Sequence, residues 1–117
     1  MYKLLTMLMT VATAAAAGEV DRPAALAALQ NPGTVLIDVR TAPEHAQGAL
    51  PGAVRIETAD LAQRIAQVAP DKDTPIALYC RSGRRSSAAQ DLLLEMGYTQ
   101  VINAGAYEQL REHLPSR

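Results

Sequence analysis

The residues best suited to chemistry lie in YCRSGRRSSAAQ, residues 79–90, which contains the only cysteine of the chain, Cys80. Three arginines follow it within five positions: Arg81, Arg84 and Arg85. A lone thiol cannot form a disulfide within its own chain, so it is either an inert buried side chain or a reactive group. Nearby positive charge favours the thiolate, which is the nucleophilic form of cysteine. The arginines therefore favour a reactive Cys80.

The predicted secondary structure around this segment also favours a reactive Cys80. PIALY before Cys80 is predicted to be a buried strand, and residues 86–96 have the apolar spacing of a helix. Cys80 would then lie at the carboxyl edge of a sheet and at a helix N-terminus, where unpaired N–H groups attract negative charge. Gly83 can adopt a positive φ, which lets successive amides converge on one anion. The predicted site consists of the catalytic Cys80 and of substrate-binding Arg81, Ser82, Gly83, Arg84 and Arg85.

The length of the loop separates two chemistries. Cysteine-dependent phosphatases and arsenate reductases have the pattern C-x5-R, a loop wide enough for a tetrahedral oxyanion above the thiolate. With that spacing the arginine would be at position 86, which is Ser86, whereas C-x4-R is satisfied by Arg85. The tighter loop better matches one terminal sulfur atom carried by Cys80. A phosphatase or arsenate reductase remains the alternative enzyme.

Strands and helices must alternate to position this loop. TVLIDVR, AVRI, PIALYC and QVINAG are apolar, largely β-branched segments that predict strands. Helices are predicted in DRPAALAALQ, over residues 58–68 and 86–96, and in AYEQLREHL. At 117 residues the chain has room for one core. The pattern therefore indicates a single α/β domain with a mainly parallel sheet.

The N-terminus has the features of a secretory signal peptide. Lys3 precedes an apolar run, and alanines at positions 15–17 offer a small-residue cleavage site. We therefore predict a signal peptide over residues 1–17, a mature domain over residues 18–117, and a periplasmic location. The apolar run is shorter than the roughly 20 residues of a membrane-spanning helix, so no membrane association is expected after the signal is removed.

Composition argues against several classes of function. The formal net charge of −1 supplies no bulk charge that would favour binding to nucleic acid or to an anionic membrane. The spacing of cysteine, histidine and carboxylates indicates no metal site, and no cofactor is predicted. His45 is expected in an exposed turn and His113 on a polar helix, so neither is predicted to act as a base for Cys80.

Several motifs in order resemble the rhodanese family of sulfurtransferases. The active loop of that family, C-x-x-G-x-R, is matched by Cys80, Gly83 and Arg85. LIDVR followed by Glu44 looks like an upstream motif of the family, and GALPGA is similar to its G-H-I-P-G-A, with alanine in place of histidine. EMGYTQVINAGAYEQL resembles the terminal segment of the small periplasmic, phage-shock type of single-domain rhodanese. These motifs together are far more specific than the loop alone.

The resemblance covers about residues 20–113 and implies a fold and a reaction. The fold would be a rhodanese-like domain with a five-stranded, mainly parallel sheet flanked by helices. The Cys80 thiolate would take the outer sulfur of thiosulfate, release sulfite, and pass the sulfur from a persulfide to cyanide or a thiol. Arg81 and Arg85 would neutralise the donor while loop amides stabilise the persulfide. The non-enzymatic alternative is a module that carries sulfur or binds a partner through the same loop.

The roles of the neighbouring side chains follow less directly. Arg84 either projects to solvent or steers the substrate. Ser86 and Ser87 are expected to cap the helix, and the alternative is a hydroxyl close to the sulfur. A structural role is expected for three charged residues that follow or end the first strand: Asp38, Arg40 and Glu44.

Overall fold

The computed structural model describes residues 19–114, so the predicted signal peptide lies outside the described residues. Helices and strands alternate along this part of the chain. In chain order they are α1 (Arg22–Ala28), β1 (Val35–Asp38), α2 (Ala42–Ala46), β2 (Val54–Arg55), α3 (Thr58–Val68), β3 (Ile76–Cys80), α4 (Arg84–Glu95), β4 (Val101–Ala106) and α5 (Tyr107–His113). The prediction of an α/β domain is confirmed. None of the helices within residues 19–114 is long and apolar enough to cross a membrane.

The sheet has four parallel strands in the order β2–β1–β3–β4. The expectation of five strands is therefore wrong for the described residues. In the part of the chain that the structure describes, β4 has one further parallel bridge, between Val20 and Asn103. The extended segment ends there because Asp21 caps α1, its side chain accepting a hydrogen bond from the Ala24 backbone N–H. Because α1 begins at Arg22, the bridge at Val20 does not continue into a fifth strand within the described residues.

The two faces of the sheet are covered by different helices. Side chains alternate across a strand, so Cys80 and Leu78 of β3 point to one face while Tyr79 points to the other. The face of Cys80 packs against α3 and α4 through Leu61 and Leu93. The opposite face packs against α1 and α5. This alternation directs the thiol toward the beginning of α4.

A β-bulge in β4 shapes the edge of the sheet next to Cys80. Leu78 is paired with Asn103, but the following residue, Tyr79, is paired with Gly105, so β4 contains one extra residue. Gly105 has a φ of 93°, and its backbone N–H donates to Asn103 Oδ1 at 3.0 Å. The bulge therefore orients the Asn103 side chain locally, at the level of the loop that follows Cys80.

Candidate active site

Cys80 is fully buried at the end of β3, yet its sulfur faces polar groups. The Gly83 backbone N–H donates to Cys80 Sγ at 2.9 Å, and Ser86 Oγ lies 3.5 Å from the same sulfur. Both partners come from the loop and first turn that connect β3 to α4. The loop thus folds back over the thiol, as expected for an anion-binding loop.

These contacts lower the pKa of the thiol. Burial raises the pKa of Cys80, but hydrogen bonds outweigh burial and hold the pKa below the ordinary value of 9.0. The hydrogen bonds come from the Ser86 hydroxyl and from the backbone N–H groups of Ser86, Gly83 and Ser82. Hydrogen bonds to the charged form of a group favour that form. At neutral pH, Cys80 therefore has a larger thiolate fraction than an ordinary cysteine.

Position 83 favours glycine for two reasons: its backbone conformation and the small space around it. Its φ of 96° is left-handed, a conformation that residues with a Cβ adopt at a cost. A Cβ at this position would lie 3.1 Å from Val20 Cγ2 and 3.6 Å from Gly105 Cα. Gly83 is also the N-cap residue of α4, and no side chain caps that helix. The prediction that Ser86 or Ser87 caps the helix is wrong, and Ser86 instead lies beside the sulfur.

Arg85 joins the loop to α2 through Glu44. Arg85 Nη1 and Nη2 donate to Glu44 Oε1 and Oε2 at 2.9 and 3.1 Å. Glu44 is held in place by a capping box with Thr41 at the start of α2. The hydrogen bond from Arg85 and that from the Thr41 backbone lower the pKa of Glu44 from 4.5 to about 2. The pair is therefore fully charged at neutral pH.

The other two arginines of the loop are exposed and differ in position. Arg81 lines a cavity of about 390 Å³. The remaining lining residues come from the segment after β1 and from the start of α5: Arg40, Glu44, Gln47, Gly48, Tyr107 and Glu108. Arg84, the first residue of α4, is not among them. The structure therefore brings Cys80, Ser82 and Gly83 together around the sulfur, places Arg81 at the cavity, and leaves Arg84 at the surface.

A buried network braces the segment after β1. Asp38 is fully buried and accepts hydrogen bonds from Arg40 Nε at 2.8 Å, Arg40 Nη2 at 2.7 Å and the Tyr79 hydroxyl at 3.0 Å. His45 Nδ1 lies 2.9 Å from Asp38 Oδ2, so His45 is half-buried on α2 and not in an exposed turn. Arg40 Nη2 also donates to the Gly48 carbonyl at 2.7 Å. The expected structural role of Asp38 and Arg40 agrees with these contacts.

Asn103 and Tyr107 belong to this region and were not predicted from the sequence. Asn103 is fully buried, accepts a hydrogen bond from Ser86 Oγ at 2.7 Å, and donates to the Gly83 carbonyl at 3.2 Å. Tyr107 lines the cavity with its ring 4.4 Å from the Arg40 guanidinium carbon. A polar residue inside the apolar strand VINAGA could have indicated Asn103, because asparagine is disfavoured in strands. Tyr107 had no comparable signal.

The family match, the sequence relatives and the solved structures all indicate the same family. The model of the rhodanese-like domain matches residues 22–113. The thiosulfate sulfurtransferase PspE of Escherichia coli is 40% identical over 74 residues, which are 63% of this chain and 71% of that protein. A solved rhodanese from E. coli, described with anions, has a TM-score of 0.60 and 41% identity, covering 64% of this chain and 88% of its own. The human single-domain sulfurtransferase TSTD1 has a TM-score of 0.68 and 29% identity, and the match covers 86% of this chain and 100% of the human chain.

Proposed function

Because the chain belongs to the rhodanese-like domain family, we propose that it transfers sulfane sulfur from thiosulfate to a thiophilic acceptor through a persulfide on Cys80. The prediction of the family and the prediction of a sulfurtransferase enzyme are confirmed by the family match and by the relatives. The donor, the acceptor and the persulfide are our proposal. The observation that carries it is the Cys80 sulfur held by the Gly83 amide inside a C-x4-R loop.

The first step is an attack of the Cys80 thiolate on the outer sulfur of thiosulfate. A sulfur–sulfur bond forms, the sulfur–sulfur bond of the donor breaks, and its electron pair leaves with sulfite. The terminal sulfur of the Cys80 persulfide is anionic. We expect the backbone N–H groups of Ser82 and Gly83, which face Cys80 Sγ in the unmodified protein, to stabilise this negative charge. Because Cys80 is fully buried, we propose that the loop opens locally before this attack.

The second step returns the enzyme to its resting form. Cyanide or a thiolate attacks the outer sulfur of the persulfide, and the electron pair of the broken bond returns to Cys80 as a thiolate. The product is thiocyanate or a persulfide of the acceptor. No external oxidant or reductant is required, because a formally neutral sulfur atom is transferred and the attacking nucleophile supplies the electron pair of the new bond.

The contacts of Arg85 favour sulfur transfer over the phosphatase alternative. A phosphatase loop presents its arginine to the three outer oxygens of a phosphate, but both terminal nitrogens of Arg85 are bound by Glu44. At the position where a C-x5-R loop has its arginine, Ser86 is buried and donates to Asn103. The thiolate, in contrast, needs only the amides that already face it.

We further propose that the mature protein begins near residue 18 and acts in the periplasm. The support is the signal-like sequence of residues 1–17, which lies outside the described residues. A small-molecule donor and acceptor fit the cavity of about 390 Å³ beside Arg81 better than a macromolecular substrate does. No nucleic acid is proposed as a partner.

Mass spectrometry of the protein after treatment with thiosulfate tests the function. We expect a gain of one sulfur atom, which is lost again when cyanide is added and thiocyanate is formed. Cys80→Ser is the control and should gain nothing, because the chain contains no other cysteine. An unmodified wild-type protein would contradict the mechanism, and a persulfide that no acceptor can discharge would support the sulfur-carrier alternative.

Arg81 and Arg84 offer a matched test of donor binding. Arg81→Ala should raise the KM for thiosulfate about tenfold, because a charge-assisted contact at the cavity contributes roughly 1.5–3 kcal/mol. Arg84→Ala removes the same charge from an exposed position outside the cavity, so its effect should be roughly twofold. Steady-state kinetics at fixed ionic strength measure both values. Equal effects of the two substitutions on the KM would mean that the overall positive charge of the loop attracts thiosulfate and that Arg81 makes no specific contact with it.

A further inference from the structure

Ser86 lies between the sulfur and a buried amide. Its Oγ is 3.5 Å from Cys80 Sγ and 2.7 Å from Asn103 Oδ1. Cys80, Ser86 and Asn103 are all fully buried, so bulk water does not compete for these contacts. The direction in which the Ser86 hydroxyl points is therefore decided within the protein.

Two other contacts fix the orientation of Asn103. Its Nδ2 donates to the Gly83 carbonyl at 3.2 Å, while its Oδ1 accepts from the Gly105 backbone N–H at 3.0 Å. Exchanging the two ends of the amide would place Oδ1 against the Gly83 carbonyl oxygen, two acceptors, and Nδ2 against the Gly105 N–H, two donors. The atom that faces Ser86 is therefore Oδ1, which can only accept, and the hydroxyl is the donor in the 2.7 Å bond.

A hydroxyl has one proton, so Ser86 cannot donate to both neighbours at once. While it donates to Asn103, it presents only lone pairs to Cys80. That arrangement suits a protonated thiol, whose S–H can donate to Ser86 Oγ. A thiolate has no proton to donate and is stabilised by a hydrogen-bond donor. The two protonation states of the sulfur thus call for opposite orientations of the Ser86 hydroxyl.

We propose that Ser86 is a hydrogen-bond switch whose hydroxyl donates to Asn103 while Cys80 is protonated and turns to donate to the sulfur when the sulfur is negatively charged. Ser86 is then a catalytic residue, because it touches the reacting atom. Asn103 is a positioning residue that acts through Ser86. The inference rests on the proposed function for its purpose, since the thiolate is the form that attacks the donor and is restored when sulfur leaves.

The titration of Cys80 can be measured without interference from the charged pair next to it. Arg85 of α4 interacts electrostatically with Cys80 and is paired with Glu44 of α2, which titrates at about 2. Arg81 and Arg84 of the same loop are exposed. Over roughly pH 6 to 10 Arg85 and Glu44 keep their charge. Because the chain has one cysteine, the pH dependence of alkylation by iodoacetamide, followed by the mass gained, reports Cys80 alone.

Titration of Cys80 in Ser86→Ala, Asn103→Ala and the double variant tests the switch. Ser86→Ala should raise the thiol pKa by about one unit, because the thiolate loses a donor. Asn103→Ala should lower it, because Ser86 is released from its competing acceptor. In the Ser86→Ala background, Asn103→Ala should no longer lower the pKa. Ser87→Ala, which alters the neighbouring hydroxyl, is the control and should leave the titration unchanged.

A purely structural role of Asn103 would shift the pKa equally with and without Ser86, and that result would overturn the switch. If Asn103→Ala does not fold, the infrared S–H stretch in the wild type and Ser86→Ala decides. A thiol that donates to Ser86 should absorb at lower frequency than the thiol of Ser86→Ala, and identical bands would overturn the switch. Neither measurement involves thiosulfate. The switch can therefore be confirmed even if Cys80 takes up no sulfur, and sulfur uptake can be observed even if the switch is overturned.

Discussion

Replacing Gly83 with alanine is expected to slow sulfur loading of Cys80 by about a hundredfold. The φ of 96° costs a residue with a Cβ roughly 1–2 kcal/mol, and the new Cβ would lie 3.1 Å from Val20 Cγ2. Rotating the peptide relieves both strains but turns the Gly83 amide away from the sulfur, which it reaches at 2.9 Å. The lost hydrogen bond to a charged sulfur is worth roughly 1.5–3 kcal/mol, which corresponds to about a hundredfold at its upper range.

Gly97→Ala is the matched control for this prediction. Gly97 has a φ of 99°, but a Cβ there would meet only Lys72 Cδ, at 4.0 Å. The two variants share the backbone penalty on folding and differ in their contact with the thiol. Thermal unfolding should show a stability loss in both variants, larger in Gly83→Ala because its Cβ also meets Val20. Mass spectrometry should show a loading defect only in Gly83→Ala. Equal loading by both variants would show that the Gly83 amide does not support the reacting sulfur.

The sulfur-binding loop could be predicted because its information is local in sequence. Cys80, Gly83 and Arg85 lie within six consecutive residues, and a strand before them and a helix after them determine where the loop lies. The start of α4 was placed too late, because the left-handed conformation of Gly83 and not a serine hydroxyl begins the helix. Local propensity therefore predicts the loop better than the detail of its cap.

The support of the loop depends on contacts between distant segments. Asn103 meets Ser86 across 17 positions because β4 lies next to β3, and a β-bulge aims its side chain. Strand order and bulges are not encoded in the periodicity of a single strand. His45 reaches Asp38 because α2 turns back over the end of β1, whereas the local sequence suggested an exposed turn. Within residues 19–114 the absence of a fifth strand has, by contrast, a local cause, because α1 starts at Arg22.

Arg85→Ala is expected to lower the kcat/KM for thiosulfate by about a hundredfold. The variant loses a positive charge that interacts with the Cys80 sulfur, and it leaves the half-buried Glu44 carboxylate without its partner. An unpaired carboxylate next to the loop repels both the thiolate and the dianionic donor. The loop also loses its two hydrogen bonds to α2. Lysine cannot replace the paired geometry, so Arg85→Lys should recover only part of the activity.

Glu44→Gln in the Arg85→Ala background separates the two causes. If repulsion by Glu44 causes most of the defect, the added substitution should restore roughly tenfold, because it removes the unpaired charge. No recovery would mean that the lost positive charge or the lost hydrogen bonds to α2, and not repulsion by Glu44, cause the defect. Acid titration gives an independent check on the pair. The low pKa of Glu44 stabilises the fold above pH 4.5, and this contribution is lost as the pH falls toward about 2. In Arg85→Ala the pKa returns toward 4.5, so this part of the acid sensitivity should disappear.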